Sequence, residues 1–412
     1  MRSSLSKLIA ATILAVLAAC AGTTDPGGST QSPTLDALPR ALTAAEQSLV
    51  TSTNDFSFAL FRTLSAANKD SNVFTSPLSA SMALGMTMNG AANATYRQMK
   101  STLAFGTTPD ADVNASYKSM MALLRGLDPS VDFRIANSIW YRNSFAVSQS
   151  FLDVSKNTFD AQVSALDFAN SSSVGTINDW VSAATVGKIP TIIDKIARDQ
   201  VMFLINAIYF KGSWRDKFDV AQTRDAPFHG VAGDQTAKMM HRHGMLSFYF
   251  SNDFYAADLP YGNKAFAMTV IVPRDNVSIE TVAASLQSGT WATMVNGFHD
   301  FTTDVYIPKL KLEWERTLNT DLQSLGMADA FNPLAADFTR MSAPGGLFID
   351  KVKQKTYVDI NEEGTEAAAV TSVGITVTSL PPQLRADKPF IFAIRDRLSG
   401  TILFMGKIVR MP

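Results

Sequence analysis

A single cysteine, Cys20, stands in the 412 residues, so no intrachain disulfide is possible and the fold must be held by packing. Histidine is scarce too: His229, His241, His243 and His299 are the full set. His241 and His243 would share one face of a strand, but no third or fourth ligand stands at a useful spacing. The pair therefore reads as exposed or hydrogen-bonded, and no metal site is expected. There is no Gly-x-Ser-x-Gly elbow, no His-Glu-x-x-His, no phosphate loop and no Gly-x-Gly-x-x-Gly. No catalytic residue and no cofactor follow from the chain, which reads as a non-enzyme. Charge of either sign is not in excess: 36 basic against 37 acidic residues give a net −1. The basic residues across 96–125 are scattered rather than striped, which excludes a phosphate backbone or other polyanion as partner. Interior linkers and repeats are also missing, and 46% apolar residues can fill one large core.

What is present concentrates near the C-terminus. From Ala367 to Leu384 there is no charged residue. Ahead of it stands Asn361-Glu362-Glu363-Gly364-Thr365-Glu366-Ala367-Ala368-Ala369, in which Gly364 offers a pivot. Val370 to Thr378 is rich in β-branched residues, and Pro381-Pro382 closes the far end. Alternate positions Thr365, Ala367, Ala369, Thr371, Val373, Ile375 and Val377 make a small or apolar face, with Glu366 on the other. Two readings stay open on this stretch alone: an ordinary hairpin strand, or a loop able to become a strand.

The stretch and its surroundings closely resemble the serpin family of protease inhibitors. Besides the hinge just quoted, the chain carries Asp387-Lys388-Pro389-Phe390-Ile391-Phe392 and Gly400-Thr401-Ile402-Leu403-Phe404-Met405-Gly406-Lys407. Further matches are Asn72-Val73-Phe74-Thr75-Ser76-Pro77-Leu78-Ser79, Asn206-Ala207-Ile208-Tyr209-Phe210-Lys211-Gly212-Ser213-Trp214 and Pro308-Lys309-Leu310-Lys311-Leu312-Glu313. The resemblance runs from about residue 45 to the end. It implies a single α+β domain over 45–412 with a large central mixed sheet, two further sheets, about eight to nine helices and an exposed reactive-centre loop over about 362–382.

The N-terminus reads as an address. Arg2 and Lys7 form a basic head, and residues 8–19 are an apolar run short for a bilayer crossing. Leu17-Ala18-Ala19-Cys20 resembles a bacterial lipobox, which makes 1–19 a lipoprotein signal peptide and Cys20 the lipidated residue. Ala21 after it resembles the outer-membrane pattern rather than the inner. Residues 20–44 are then the lipidated cysteine and a flexible tether rich in Gly, Ser, Thr and Pro. An exported, outer-membrane-tethered monomer is expected.

Periodicity predicts helices over 46–64, 151–159, 174–185 and 318–326, and a nearly all-apolar helix from Ser76-Pro77 to about 89, hence buried. Strands are predicted over 132–141, 201–210, 238–250, 265–272, 304–311 and 347–360. The run 201–210, apolar around Asn206, suits a central strand covered on both faces.

By resemblance the loop is bait: a target serine protease cleaves it, and the cut loop inserts into the large sheet and traps the acyl-enzyme. Alignment from Gly364 puts the reactive bond between Thr378 and Ser379. Small, uncharged Thr378 suits an elastase-like or subtilisin-like cleft and not a pocket with a buried carboxylate. Ser76, Ser79 and Asn206 match a sheet-opening network in which Gln354 replaces the usual histidine; a core helix with capping serines would look alike. Trp214 matches the site of first insertion, or is plain core. The alternative function is a non-inhibitory serpin acting as a binding or chaperone-like module, whose hinge would carry bulky, charged or proline residues.

Overall fold

The computed structural model describes residues 33–365 and 383–412. Cys20, Glu366, Ala367, Ala368, Ala369 and the Thr378–Ser379 bond lie outside the described residues. The chain from residue 33 is docked on the body, whereas the tether was expected to run to residue 44. Leu35, Leu38 and Leu42 pack against the main core, and the Leu35 N–H donates to the Asn263 carbonyl at 2.8 Å. Three spaced leucines bury apolar area that a Gly/Ser tether lacks.

The first helix, α1 (Ala44–Ala67), starts at Thr43, whose hydroxyl accepts from the Glu46 N–H at 3.2 Å while the Thr43 N–H donates to the Glu46 carboxylate at 2.8 Å. A short strand, β1 (Val73–Thr75), leads into α2 (Pro77–Met88), capped by Ser76 and with proline in its first turn. Every residue of α2 but Ala83 is buried, as its all-round apolar character requires. Next come α3 (Asn93–Thr102), α4 (Asp110–Gly126), β2 (Val131–Arg142), α5 (Gln149–Phe159), β3 (Gln162–Leu166) and α6 (Ser172–Ala184). From β4 (Met202–Ser213) onward strands dominate: β5 (Arg224–Gly230), β6 (Gly233–Phe250), β7 (Phe254–Pro260) and β8 (Phe266–Pro273). Two helices, α7 (Ile279–Ser285) and α8 (Ser288–Asn296), precede β9 (His299–Pro308) and β10 (Leu310–Thr317). The chain ends with α9 (Asn319–Ser324), β11 (Lys353–Asn361), β12 (Gly364–Thr365), β13 (Leu384–Arg385), β14 (Phe390–Asp396) and β15 (Ile402–Ile408).

One sheet is six-stranded in the order β10-β11-β12-β4-β2-β3, mixed because β3 runs parallel to β2. The two smaller sheets expected are continuous in the described residues. The 18-residue β6 pairs with β5, β7 and β9 and joins them into a nine-stranded sheet ordered β1-β15-β14-β8-β7-β6-β9-β13, with β5 also on β6. One predicted strand, 304–311, is in fact two strand ends. Lys309 breaks it, donating its N–H to the Lys238 carbonyl at 2.8 Å, after which β10 crosses to the other sheet. The strand predicted over 347–360 starts only at Lys353. As expected, β4 is covered on both sides: Ile205 and Ala207 pack with Ile177 and Val181 of α6, while Ile208 and Phe210 join the main core.

The start of α1 carries its own acid sensitivity. Arg40 donates to both Glu46 oxygens at 2.6 and 2.8 Å. Arg40 holds the Glu46 carboxyl at about 2 against the opposing effect of burial, with help from the Ser119 hydroxyl and the Thr43 N–H. A carboxyl lowered on folding adds stability above its ordinary value near 4.5, and that stability is lost as pH falls toward 2. Glu46→Gln keeps a capping side chain but removes the charge, and should cost about 1 kcal/mol at pH 7. Urea midpoints of variant and wild type should converge between pH 4.5 and 2; a constant gap across that window refutes the assignment.

Candidate functional site

The hinge is already a strand at its start. Gly364 and Thr365 pair antiparallel with Asn361 and Ile360 of β11 on one side and with Ser213 and Gly212 of β4 on the other. Among the described residues β4 and β11 meet only through this two-residue ladder. Gly364 has φ +147°, and a Cβ there would lie 2.2 Å from the Gly212 carbonyl oxygen. Only glycine fits the pivot.

Thr365 was expected to turn into the sheet on insertion, and it is buried there already. Its hydroxyl shares a 2.9 Å hydrogen bond with the Tyr261 hydroxyl. Tyr261 stacks on Trp214 with ring centroids 4.6 Å apart and planes within 12°. Trp214 is therefore more than core filling. Its indole N–H donates to the Asn361 carbonyl at 2.9 Å and its backbone N–H to the Glu363 carbonyl at 2.7 Å. Tyr261 was not legible as a partner, because its turn sits far in sequence from both residues it touches.

The two hinge glutamates are buried and each is met by a lysine. Glu362 receives Lys309 Nζ at 2.8 Å and the Thr223 hydroxyl at 2.8 Å. Burial alone would raise its carboxyl, but the bonds from Lys309 and Thr223 outweigh that and leave it below the ordinary range. Glu363 pairs with Lys217 at 2.6 Å. A hinge with two buried negative charges is thus pinned by cations from other parts of the chain.

The four network residues meet α2 in two branches. Ser79 donates its hydroxyl to the Asn206 side-chain oxygen on β4, and the Asn206 amide donates to Asn137 on β2 at 2.6 Å. On the β11 side, Gln354 accepts from the Thr75 hydroxyl at 2.6 Å and from the Ser76 N–H at 3.2 Å, and its amide donates to the Ser76 carbonyl at 2.8 Å. The Ser76 hydroxyl accepts from the Ser79 N–H at 3.3 Å and donates to the Leu403 carbonyl at 2.8 Å. Both strands flanking β12 are therefore tied to one helix start. Asn137 and Thr75 are members that sequence reasoning missed, since each reads as an ordinary strand residue.

Glutamine suits the β11 branch because it donates and accepts at once, and unlike histidine it carries no titrating proton. Gln354→Leu would leave the Ser76 N–H, the Ser76 carbonyl and the Thr75 hydroxyl buried without that partner. At about 1 kcal/mol or more for each, the loss should be about 3 kcal/mol. A urea midpoint equal to the wild type's would show that the branch does not hold β11.

Residues 51–411 match the family described as serpin (serine protease inhibitor). Human serpin B11 is 34% identical over 394 residues, covering 88% of this chain and 99% of that protein. Human leukocyte elastase inhibitor is 34% identical over 370 residues, covering 85% of this chain and 96% of its own. The crystal structure of the thermophilic serpin tengpin in its native state is similar with a TM-score of 0.82 at 31% identity, covering 92% of this chain and 97% of that one. With a buried glycine-pivoted hinge between two strands of the six-stranded mixed sheet, and this match along most of its length, the chain belongs to the serpin family.

Proposed function

We propose that this chain is a suicide-substrate inhibitor of elastase-like or subtilisin-like serine proteases, exported and anchored to the bacterial outer membrane through lipid on Cys20. The observation that carries the reading is the two-residue β12. A strand already seeded between β4 and β11, and followed in sequence by a face free of charge and proline, can lengthen by simple continuation. The nucleophile is the protease's own serine, which forms an acyl-enzyme at Thr378, so the inhibitor needs no catalytic residue. Adding about a dozen residues at roughly 0.5–1.5 kcal/mol of net hydrogen bonding each supplies on the order of 10 kcal/mol. That rivals the roughly 5–15 kcal/mol stability of a whole domain, so the uncut form is kinetically trapped. The likeness to a leukocyte elastase inhibitor supports the protease class, as does the small side chain of Thr378.

The test is a denaturing gel after mixing with elastase, subtilisin and trypsin. Elastase or subtilisin should give a denaturant-stable complex and release a fragment beginning at Ser379, and Thr378→Arg should move the complex to trypsin. Thr365→Arg should give cleavage at the same bond with the protease left active, because a guanidinium in the buried slot beside Tyr261 costs several kcal/mol. A complex at full yield from Thr365→Arg would rule out strand insertion, and cleavage without any complex in the wild type would favour the non-inhibitory binding-module reading.

The address has a separate test. Cell fractionation of Cys20→Ser should move the protein off the membrane, since each buried acyl methylene contributes about 0.8 kcal/mol to anchoring. Among the described residues no helix is long and apolar enough to cross a membrane. Unchanged membrane association of Cys20→Ser would remove the lipid from the reading.

A further inference from the structure

A cleft of about 520 Å³ lies where the end of α2, the start of α5 and the turn over residues 338–344 meet. It shares no lining residue with the hinge or with the polar bonds at the start of α2. Its volume is within the range of small-molecule sites. Backbone bonds sew its walls together. The Met341 N–H donates to the Gly90 carbonyl at 3.0 Å, and the Ser148 N–H to the Met341 carbonyl at 2.8 Å. The Ala92 N–H donates to the Asp337 carbonyl at 2.9 Å. Gly90 is what lets the turn come so close: a Cβ there would lie 2.8 Å from the Met341 side chain and 3.3 Å from the Phe151 ring. The cleft is therefore preformed, and a ligand need not order the chain around it.

Its two sides differ in chemistry. The floor is apolar: Phe151 is buried, and Val147 and Val154 are half-buried against the main core. On the exposed rim, Arg340 is the one charged side chain that lines the cleft. Its guanidinium sits over the Tyr96 ring, 5.0 Å from the centroid. A cation held on a ring face keeps its N–H groups for another partner. Asp337, the acid that feels the charge of Arg340, is already occupied. It accepts from the Thr339 hydroxyl at 2.6 Å and from the Asn93 amide at 2.8 Å. The Ser148 and Ser150 hydroxyls, 2.8 Å apart, line the same mouth.

We propose that this cleft is a binding site for small amphipathic monocarboxylates, of the class of medium-chain fatty acids and aryl acids. The carboxylate meets Arg340, whose planar fork matches both oxygens, and a serine hydroxyl adds a further donor. The apolar tail lies along Val147, Phe151 and Val154, which takes its surface out of water. Inorganic phosphate has the charge but nothing for the floor, and an alcohol has the tail but nothing for the arginine. A bound acid touches α2, α5 and the turn at once, so it stabilises the native fold by mass action. The inference does not rest on the inhibitory reading.

The probe is octanoate labelled with carbon-13 at its carboxyl, titrated with the purified full chain, with octanol and inorganic phosphate as controls. Half-saturation at or below about 1 mM is expected for a ligand of about ten non-hydrogen atoms. Arg340→Gln should weaken binding about tenfold or more, the usual loss of a charge-assisted bond, and Arg340→Lys should restore part of it. Ala343→Trp fills the mouth and should abolish binding; both positions are exposed, so neither change disturbs the core. Octanol and phosphate should each bind at least about tenfold more weakly than octanoate. Identical octanoate curves for wild type, Arg340→Gln and Ala343→Trp would place the acid elsewhere and overturn the site. Octanol binding as tightly as octanoate would overturn the role given to Arg340, and phosphate doing so would overturn the amphipathic class. No saturation of the wild type by octanoate overturns the proposal as a whole.

Discussion

The structure depends on a ladder two residues long. Gly364 and Thr365 are the described link between β4 and β11, and each of those strands is tied independently to the start of α2. The sheet halves are therefore joined twice: within the sheet by the two-residue β12, and from beneath by polar bonds on a buried helix. Loosening either tie alone leaves the other to carry the register. A short strand is easy to lengthen or withdraw, because few hydrogen bonds are committed, each worth about 1 kcal/mol net. The serine and glutamine bonds below hold both flanking strands to that helix.

Charge placement gives the hinge a defined resting point. Two adjacent buried carboxylates would repel and would be costly to desolvate if left alone. Glu362 is matched by Lys309, which stands at the crossing between β9 and β10, and Glu363 by Lys217, which follows β4. The pairs thus clamp the hinge to both sheets at once. Removing a lysine would leave a buried unpaired charge, which is worse than never having had the pair. The hinge position is held by specific partners, and Thr365 just beyond Gly364 is fixed in register by Ile360 and Gly212 and by the Tyr261 hydroxyl.

Much of the element order was legible because burial and periodicity act locally. The nearly all-apolar α2 was legible as a buried helix, and the uncharged run 201–210 as a covered strand. Gly364 was legible as a pivot from composition, and its φ of +147° gives the reason. What stayed hidden was every relation between distant segments. Nothing local marks Tyr261 as the partner of Thr365, or Asp304 as the group shared by His241 and His243. The break at Lys309 was missed for a related reason. β9 and β10 each alternate, but the buried positions are Thr303, Val305 and Ile307 in one and Leu310 and Leu312 in the other, so the phase shifts at Pro308–Lys309, and the change of sheet shows what that shift means. Leu35, Leu38 and Leu42 were hidden by their Pro- and Thr-rich surroundings, whose flexibility matters less than three leucines with a core to meet.

Both ends of the reactive segment are held by strands of two residues braced by side chains: Tyr261 and Trp214 at β12, Tyr306 and His241 at β13. The aromatic contacts add to those few backbone bonds in small increments. Each adds roughly 0.5–1.5 kcal/mol beyond area burial, enough to change a rate severalfold without making a new equilibrium state. A kinetically trapped fold needs contacts of that size, present in the ground state and absent from the transition state. Backbone ladders come in fixed steps along a strand, whereas ring stacks can be strengthened or weakened by one substitution. In that sense the two tyrosines add to the hold on the strand ends they touch, while the sheets they rest on set the architecture.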